Sequence, residues 1–203
     1  LFYCKFFIIG LTNIDKLIIP RIFKAEKESL GLYGLAFQLG YLLPTVAAAL
    51  TTMTQPIIYK LLSHYDEAAN KKLKKVVFMS FGVILISALG IYLFTPLFYH
   101  YFINNSRYRD GAYLVKYMLL AWMFWCFGSI LIDIIKKTGS RRQIVSSYLI
   151  PFLVLTGCLY FAGHHYGLRG ITLSLILSYG LIFLLLVYYT RKQLHLLLQK
   201  NQK

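Results

Sequence analysis

The stretch from Gly31 to Leu62, GLYGLAFQLGYLLPTVAAALTTMTQPIIYKLL, decides the fold of this chain. It carries no charged residue before Lys60. At about 1.5 Å per residue it is longer than the roughly 30 Å hydrocarbon core of a bilayer. We therefore predict a membrane-spanning helix, kinked at Pro44 because proline removes a backbone donor.

A polar stripe runs along this predicted helix. At about 100° per residue, the polar and small members of the segment share one broad face. They are Gly34, Gln38, Tyr41, Thr45, Thr52 and Tyr59. Hydrocarbon offers no partners to such groups, so the stripe should face other helices or a wet cavity. Two interpretations remain: a packing face whose threonines bond their own backbone, or the wall of a cavity.

Composition places the whole chain in a membrane. Of its 203 residues 58% are hydrophobic, and the mean hydropathy is +0.61. A soluble domain of this length does not bury so much apolar surface, so we predict an all-α, polytopic membrane protein. The net charge of +15 lies in short blocks between apolar runs, as in loops at an anionic membrane surface, so nucleic acid is not an expected partner.

The cysteines and the first residue add two further expectations. Cys4, Cys126 and Cys158 lie far apart in apolar runs, a spacing that predicts no disulfide and no metal site. We expect no cofactor. Leu1 already lies in an apolar run without a charged leader or a cleavage site, so no signal peptide is predicted, and the chain reads as a segment of something longer.

Six transmembrane helices are predicted along the chain. Their approximate ranges are Leu1–Phe23, Gly31–Leu62, Val76–Tyr99, Ala112–Ile135, Gln143–Ala162 and Ile171–Thr190. Residues 1–190 would form one six-helix bundle, and residues 191–203 a basic cytoplasmic tail with a leucine cluster suited to the membrane surface. The basic run SHYDEAANKKLKK is expected to be a loop, and GHHYGLRG a glycine-rich turn.

The basic residues predict the orientation of these helices. One set of connections carries twelve lysines and arginines: Lys71, Lys72, Lys74, Lys75, Lys136, Lys137, Arg141, Arg142, Arg191, Lys192, Lys200 and Lys203. The other set carries six: Arg21, Lys24, Lys27, Arg107, Arg109 and Arg169. Cytoplasmic loops are richer in basic residues, so both ends of the bundle should face the cytoplasm.

The first helix carries charge at membrane depth. Lys5, Thr12 and Lys16 share one face, with Asn13 and Asp15 beside it. A charged side chain at the bilayer centre costs about 2.5–3.5 kcal/mol, so these lysines should line a cavity or be paired. In the alternative, Lys5 reaches the membrane surface and Asp15 pairs with Lys16. Local pairing is likewise expected for Asp133, three residues before Lys136.

The order of these motifs resembles the polysaccharide and oligosaccharide flippases of the multidrug/oligosaccharidyl-lipid/polysaccharide exporter superfamily. The runs that carry the resemblance are NIDKLIIPRIF, GLYGLAFQLGYLLP, TQPIIYKLL and HHYGLRGITLSLILSYG. The matching residues are Asp15, Lys16, Gly31, Tyr33, Ala36, Pro56, Tyr59, Lys60, Tyr166, Gly167 and Gly170. Each motif is short, and their order and spacing over nearly the whole chain carry the likeness. Members of that family have two lobes, whereas six helices account for one, which resembles the C-terminal lobe.

The resemblance implies a function. Such proteins move polyprenyl-pyrophosphate-linked oligosaccharide across the cytoplasmic membrane for surface polysaccharide synthesis, by alternating access of two lobes. The missing N-terminal lobe would be a partner. We expect lysines to bind the pyrophosphate and polar groups to bind sugar hydroxyls. The predicted cavity residues are Lys5, Thr12, Asn13, Asp15, Lys16, Gln38, Tyr41, Thr45 and Thr52.

Three other functions are weighed against this one. A multidrug antiporter for cations would need an acidic cavity, and the one deep acid, Asp15, stands beside Lys16. A membrane enzyme would draw on His164, His165 and His100, but no acid lies near the histidine pair in sequence to orient a base. We therefore do not expect an enzyme. A lobe that exists alone would instead suggest a scaffold without transport.

Overall fold

A computed structural model of the chain describes residues 2–22, 27–103 and 111–201, with side chains at 7–20, 30–103 and 111–199. No β-strand occurs in these ranges, so the prediction of an all-α chain is confirmed there. The helices are α1 (Phe2–Ile22), α2 (Lys27–Ser63), α3 (Glu67–Phe102), α4 (Ala112–Thr138) and α5 (Arg141–Asn201).

Four of these helices, α2 to α5, are long and apolar enough to cross a membrane. This finding is compatible with the predicted multi-pass membrane protein. The apolar surface of α3 agrees with it, since Phe78, Ile86 and Leu93 expose most of their side chains. In water such a surface would be unfavourable, whereas in a bilayer it meets lipid tails.

The longest helix, α5, doubles back on itself at Gly167. This glycine has φ 60° and ψ −141°, a conformation that side chains other than glycine rarely adopt. Residues 141–166 and 168–201 then run antiparallel, as two contacts show. The hydroxyls of Ser146 and Tyr189 lie 3.1 Å apart, and Ser178 donates to the carbonyl of Pro151 at 2.9 Å.

Three predicted boundaries are corrected. The turn predicted over GHHYGLRG is confined to Gly167, because one glycine with positive φ suffices to reverse the chain. The basic run SHYDEAANKKLKK, predicted as a loop, is mostly helical and forms the start of α3. Asp66 caps this helix by accepting a hydrogen bond from the Ala69 amide at 2.6 Å. The alanines and lysines that follow favour helix. Residues 191–201, predicted as a tail, continue α5.

The central helix is α4, which packs against α2, α3 and α5. Its Trp122 is almost fully buried, and α2 approaches it closely at Gly40. A Cβ atom on Gly40 would lie 2.9 Å from the Cβ of Met118 and 3.0 Å from the Cδ1 of Trp122. The absence of a side chain at Gly40 therefore sets how near α2 comes to α4.

Candidate functional site

A cleft of about 340 Å³ lies between α1 and α2. It is lined by Thr12, Asn13, Lys16, Phe37, Gln38 and Tyr41. Five of these six residues are among the nine predicted from the sequence. They meet because the polar face of α1 and the polar stripe of α2 turn toward the same side of the bundle.

On the α1 side, Asn13 holds Lys16 in place. The Nδ2 group of Asn13 donates to the Ile9 carbonyl at 2.9 Å and to the Thr12 hydroxyl oxygen at 3.1 Å. Both bonds require the same orientation of the amide, so Oδ1 is left facing Lys16, whose Nζ donates to it at 3.0 Å. The Thr12 hydroxyl in turn donates to the Ile8 carbonyl at 3.0 Å.

The α2 side of the cleft is aromatic. Phe37 and Tyr41, one helical turn apart, stack with their ring centroids 5.8 Å apart. Trp122 of α4 meets both rings edge-on, at 5.4 and 5.3 Å. The ammonium nitrogen of Lys16 lies 4.5 Å from the centroid of the Phe37 ring, a cation–π contact across the cleft.

The exposed polar groups of the cleft define its chemistry. Gln38 and Tyr41 are exposed, and Lys16 presents the one charge among the six lining residues. The ammonium and amide groups offer N–H donors, and the tyrosine hydroxyl can donate or accept. This arrangement suits a ligand that carries an anionic group next to hydroxyls.

Asp15 does not line the cleft, contrary to the prediction. It is 1% exposed and accepts a 2.5 Å hydrogen bond from the hydroxyl of Tyr33 on α2. The alternative pairing with Lys16 is also absent from the described residues, because the lysine points to Asn13 and Phe37 instead. Asp15 therefore joins α1 to α2 beneath the cleft. The side chain of Lys5 lies outside the described part of the structure.

Thr45 and Thr52 continue the exposed face of α2 beyond the cleft. Both hydroxyls donate to their own helix: Thr45 to the Tyr41 carbonyl at 3.4 Å, and Thr52 to the Ala48 carbonyl at 2.9 Å. These are the backbone bonds that the packing interpretation expected. In the described structure, however, both threonines are exposed, so the stripe forms an uncovered face of the bundle.

Other predicted groups lie away from the cleft. Lys136 pairs with Asp133 at 2.7 Å, which confirms the local ion pair. His164 and His165 are exposed beside the reversal at Gly167. Within the described ranges, no three His, Cys, Asp or Glu side chains come together as metal ligands would. Cys126 and Cys158 are free thiols, the first buried and the second partly buried.

Three residues that matter at the cleft were not among the predicted cavity residues: Tyr33, Phe37 and Trp122. Tyr33, Phe37 and Tyr41 recur every four residues, a spacing that places them on one side of a helix. That spacing was the available signal for an aromatic wall. Trp122 carries no such signal, because its role depends on how α4 packs against α2.

No protein-family model, curated protein or solved structure matches this chain.

Proposed function

We propose that the chain is one six-pass lobe of a transporter that moves a lipid-linked oligosaccharide across the cytoplasmic membrane. The observation that carries the proposal is the cleft, where the Lys16 ammonium stands beside exposed Gln38 and Tyr41 between helices that are otherwise mostly apolar. The passes would be α1 to α4 and the two antiparallel limbs of α5.

The charge in the cleft favours an anionic ligand. A charged group within membrane-spanning segments is costly and marks a substrate or ion pathway more often than a packing contact. Lys16 has a hydrogen bond to a neutral amide and a ring contact, and within the described residues no carboxylate forms a direct ion pair with it. A pyrophosphate would supply an anionic partner through charge-assisted hydrogen bonds. Sugar hydroxyls next to it would meet the amide of Gln38 and the hydroxyl of Tyr41.

The uncovered face of α2 favours a second wall. Tyr41, Thr45 and Thr52 are exposed along it, and hydrocarbon would leave Gln38 and Tyr41 without partners. We propose that a second lobe faces this stripe and encloses the cavity, and that rocking of the two lobes opens it to either side. Thr45 and Thr52 would then line the wider cavity.

The distribution of basic residues supports an orientation with both ends of the lobe in the cytoplasm. In the helical arrangement described above, three basic groups gather at the same end of the bundle. They lie at the start of α3, at the α4–α5 junction and in residues 191–201. An end so rich in lysine and arginine suits the cytoplasmic surface.

The same geometry argues against the multidrug antiporter. A cationic drug needs an acid in its cavity, yet Lys16 is the one charged residue that lines the cleft. The side chain of Asp15 does not line the cleft: it accepts a hydrogen bond from the Tyr33 hydroxyl and is almost fully buried. The positive charge of Lys16 would therefore repel a cationic drug from this wall.

Transport in proteoliposomes tests the proposal. The complete two-lobe transporter would be reconstituted with a fluorescent polyprenyl-pyrophosphate-linked oligosaccharide, and its transfer between leaflets followed by quenching from outside. We expect Lys16→Gln to slow transfer strongly and Lys60→Gln, a change of the same type at the end of α2, to leave it intact. Equal rates for the two variants would contradict the proposal.

A further inference from the structure

A second groove, of about 240 Å³, lies between α3 and α4 and shares no residue with the cleft at Lys16. Six aliphatic or thioether side chains line it, together with Tyr92 and Lys116. It lies on the face that α3 turns outward, where Leu89 is 57% exposed. In a membrane this groove opens toward lipid.

The groove has a polar end and an apolar end. Tyr92 of α3 and Lys116 of α4 lie at one end. Met123 marks the other, seven residues along α4 and therefore about 10 Å away. One turn beyond Met123, the rings of Phe81 and Phe127 meet with centroids 4.3 Å apart and close the groove between the two helices.

The polar end of the groove has the residue types that are typical of a membrane interface. Lys116 is one turn inside the start of α4 at Ala112 and is exposed. Its ammonium lies 5.0 Å from the centroid of the Tyr117 ring, and Tyr92 lines the same groove from α3. Tyrosines and long basic side chains at a helix end are typical of the membrane interface.

We propose that this groove binds one anionic phospholipid. The phosphate would contact the ammonium of Lys116 and the hydroxyl of Tyr92, and one acyl chain would follow the groove toward the Phe81–Phe127 pair. Charge complementarity selects the occupant, because Lys116 is the one charged residue among the eight that line the groove. Free phosphate would leave the apolar length of the groove unfilled. A zwitterionic lipid would bring its own cation to Lys116. The proposal does not depend on the transport function.

Lipid retention measured by native mass spectrometry tests the proposal. The full chain is purified from nanodiscs made of equal parts phosphatidylglycerol and phosphatidylcholine with identical acyl chains, and the bound lipids are counted. We expect the wild type to retain phosphatidylglycerol preferentially. Lys116→Gln should lower that retention about fivefold, the effect of one basic residue near an anionic lipid. Lys116→Arg should preserve it.

Two further variants separate the groove from general surface charge. Ala88→Trp fills the groove but leaves Lys116 in place, and should also abolish the preference. Arg169→Gln is the matched control, since Arg169 also lies over a tyrosine, 5.2 Å from the ring centroid of Tyr113, but does not line the groove. It should change nothing.

Four results would overturn the proposal. The first is equal retention of the two lipids by the wild type. The second is the same retention in Lys116→Gln as in Arg169→Gln, and the third is unchanged retention in Ala88→Trp. Displacement of phosphatidylglycerol by millimolar inorganic phosphate alone would likewise show that the site recognises free phosphate and not a lipid. Circular dichroism and a single elution peak would establish that each variant is folded.

Discussion

The ammonium nitrogen of Lys16 lies 4.5 Å from the centroid of the Phe37 ring, and this contact joins α1 to α2 at the mouth of the cleft. A cation–π contact contributes about 0.5–2 kcal/mol. That is less than the roughly 2.5–3.5 kcal/mol cost of a lysine at the centre of a bilayer. In the proposed six-pass lobe the ring would therefore orient the lysine without compensating its charge, and an anion in the cleft would supply the difference.

The buried bond between Tyr33 and Asp15 leads to a prediction on stability. Tyr33→Phe would remove the hydroxyl that donates to Asp15 and leave a buried carboxyl oxygen without its partner. We expect a loss of about 1–3 kcal/mol in the free energy of unfolding, seen as a lower midpoint of thermal unfolding in detergent. Tyr41→Phe removes a half-exposed hydroxyl and is the control. Equal midpoints for the two variants would refute a structural role for the bond.

The sequence predicted the polar half of the cleft because helical periodicity needs only local information. Lys16 and Asn13 lie on one face of α1, and Gln38 and Tyr41 lie on one face of α2, in any straight helix. The partner of Asp15 could not be predicted in this way. Lys16 is adjacent in sequence, but Tyr33 reaches Asp15 only once α1 and α2 pack together.

Two of the mispredicted boundaries have different origins. The lysines at the start of α3 suggested a loop by their charge, whereas the cap at Asp66 and the alanines after it favour helix. The reversal in α5 was predicted from several glycines, but Gly167 alone adopts the positive φ that turns the chain. Which glycine does so depends on how the two limbs of α5 pack.

Gly40 gives a prediction on helix packing. A methyl group there would overlap Met118 and Trp122, so Gly40→Ala should separate α2 from α4 and cost about 1–3 kcal/mol of unfolding free energy. Gly34 lies on the same helix, and a Cβ there meets nothing within 4 Å. Gly34→Ala should therefore be neutral or slightly stabilising, since alanine favours helix by up to about 1 kcal/mol. Equal shifts of the thermal midpoint by the two changes would show that Gly40 does not set the distance between α2 and α4.

The reversal at Gly167 gives a prediction on backbone conformation. At φ 60° and ψ −141°, any other residue is strained, and Gly167→Ala should cost about 1–3 kcal/mol. Gly157→Ala, on the preceding limb with open space around its Cβ position, is the matched control. Chemical denaturation in mild detergent would compare the two. A Gly167→Ala protein as stable as the control would show that this backbone conformation is not required.

The proposed orientation of the bundle predicts which residues a membrane-impermeant thiol reagent reaches. In a chain whose own cysteines are replaced, Ser140→Cys lies at the α4–α5 junction, and His164→Cys lies beside the reversal. These sites are at opposite ends of one limb of α5. We expect the reagent to label His164→Cys in intact cells and Ser140→Cys only after the membrane is opened. The reverse pattern would contradict the proposed orientation.

Direct binding to the cleft is the measurement that tests the central claim most closely. The affinity of the purified full-length protein for a polyprenyl-pyrophosphate-linked oligosaccharide would be determined for the wild type, Lys16→Gln and Lys16→Arg. A charge-assisted hydrogen bond contributes about 1.5–3 kcal/mol, so Lys16→Gln should weaken binding by roughly tenfold or more. Lys16→Arg should retain most of the affinity. If Lys16→Gln binds the substrate as tightly as the wild type while its thermal midpoint is unchanged, the cleft is not the site of the anionic group and the account is wrong.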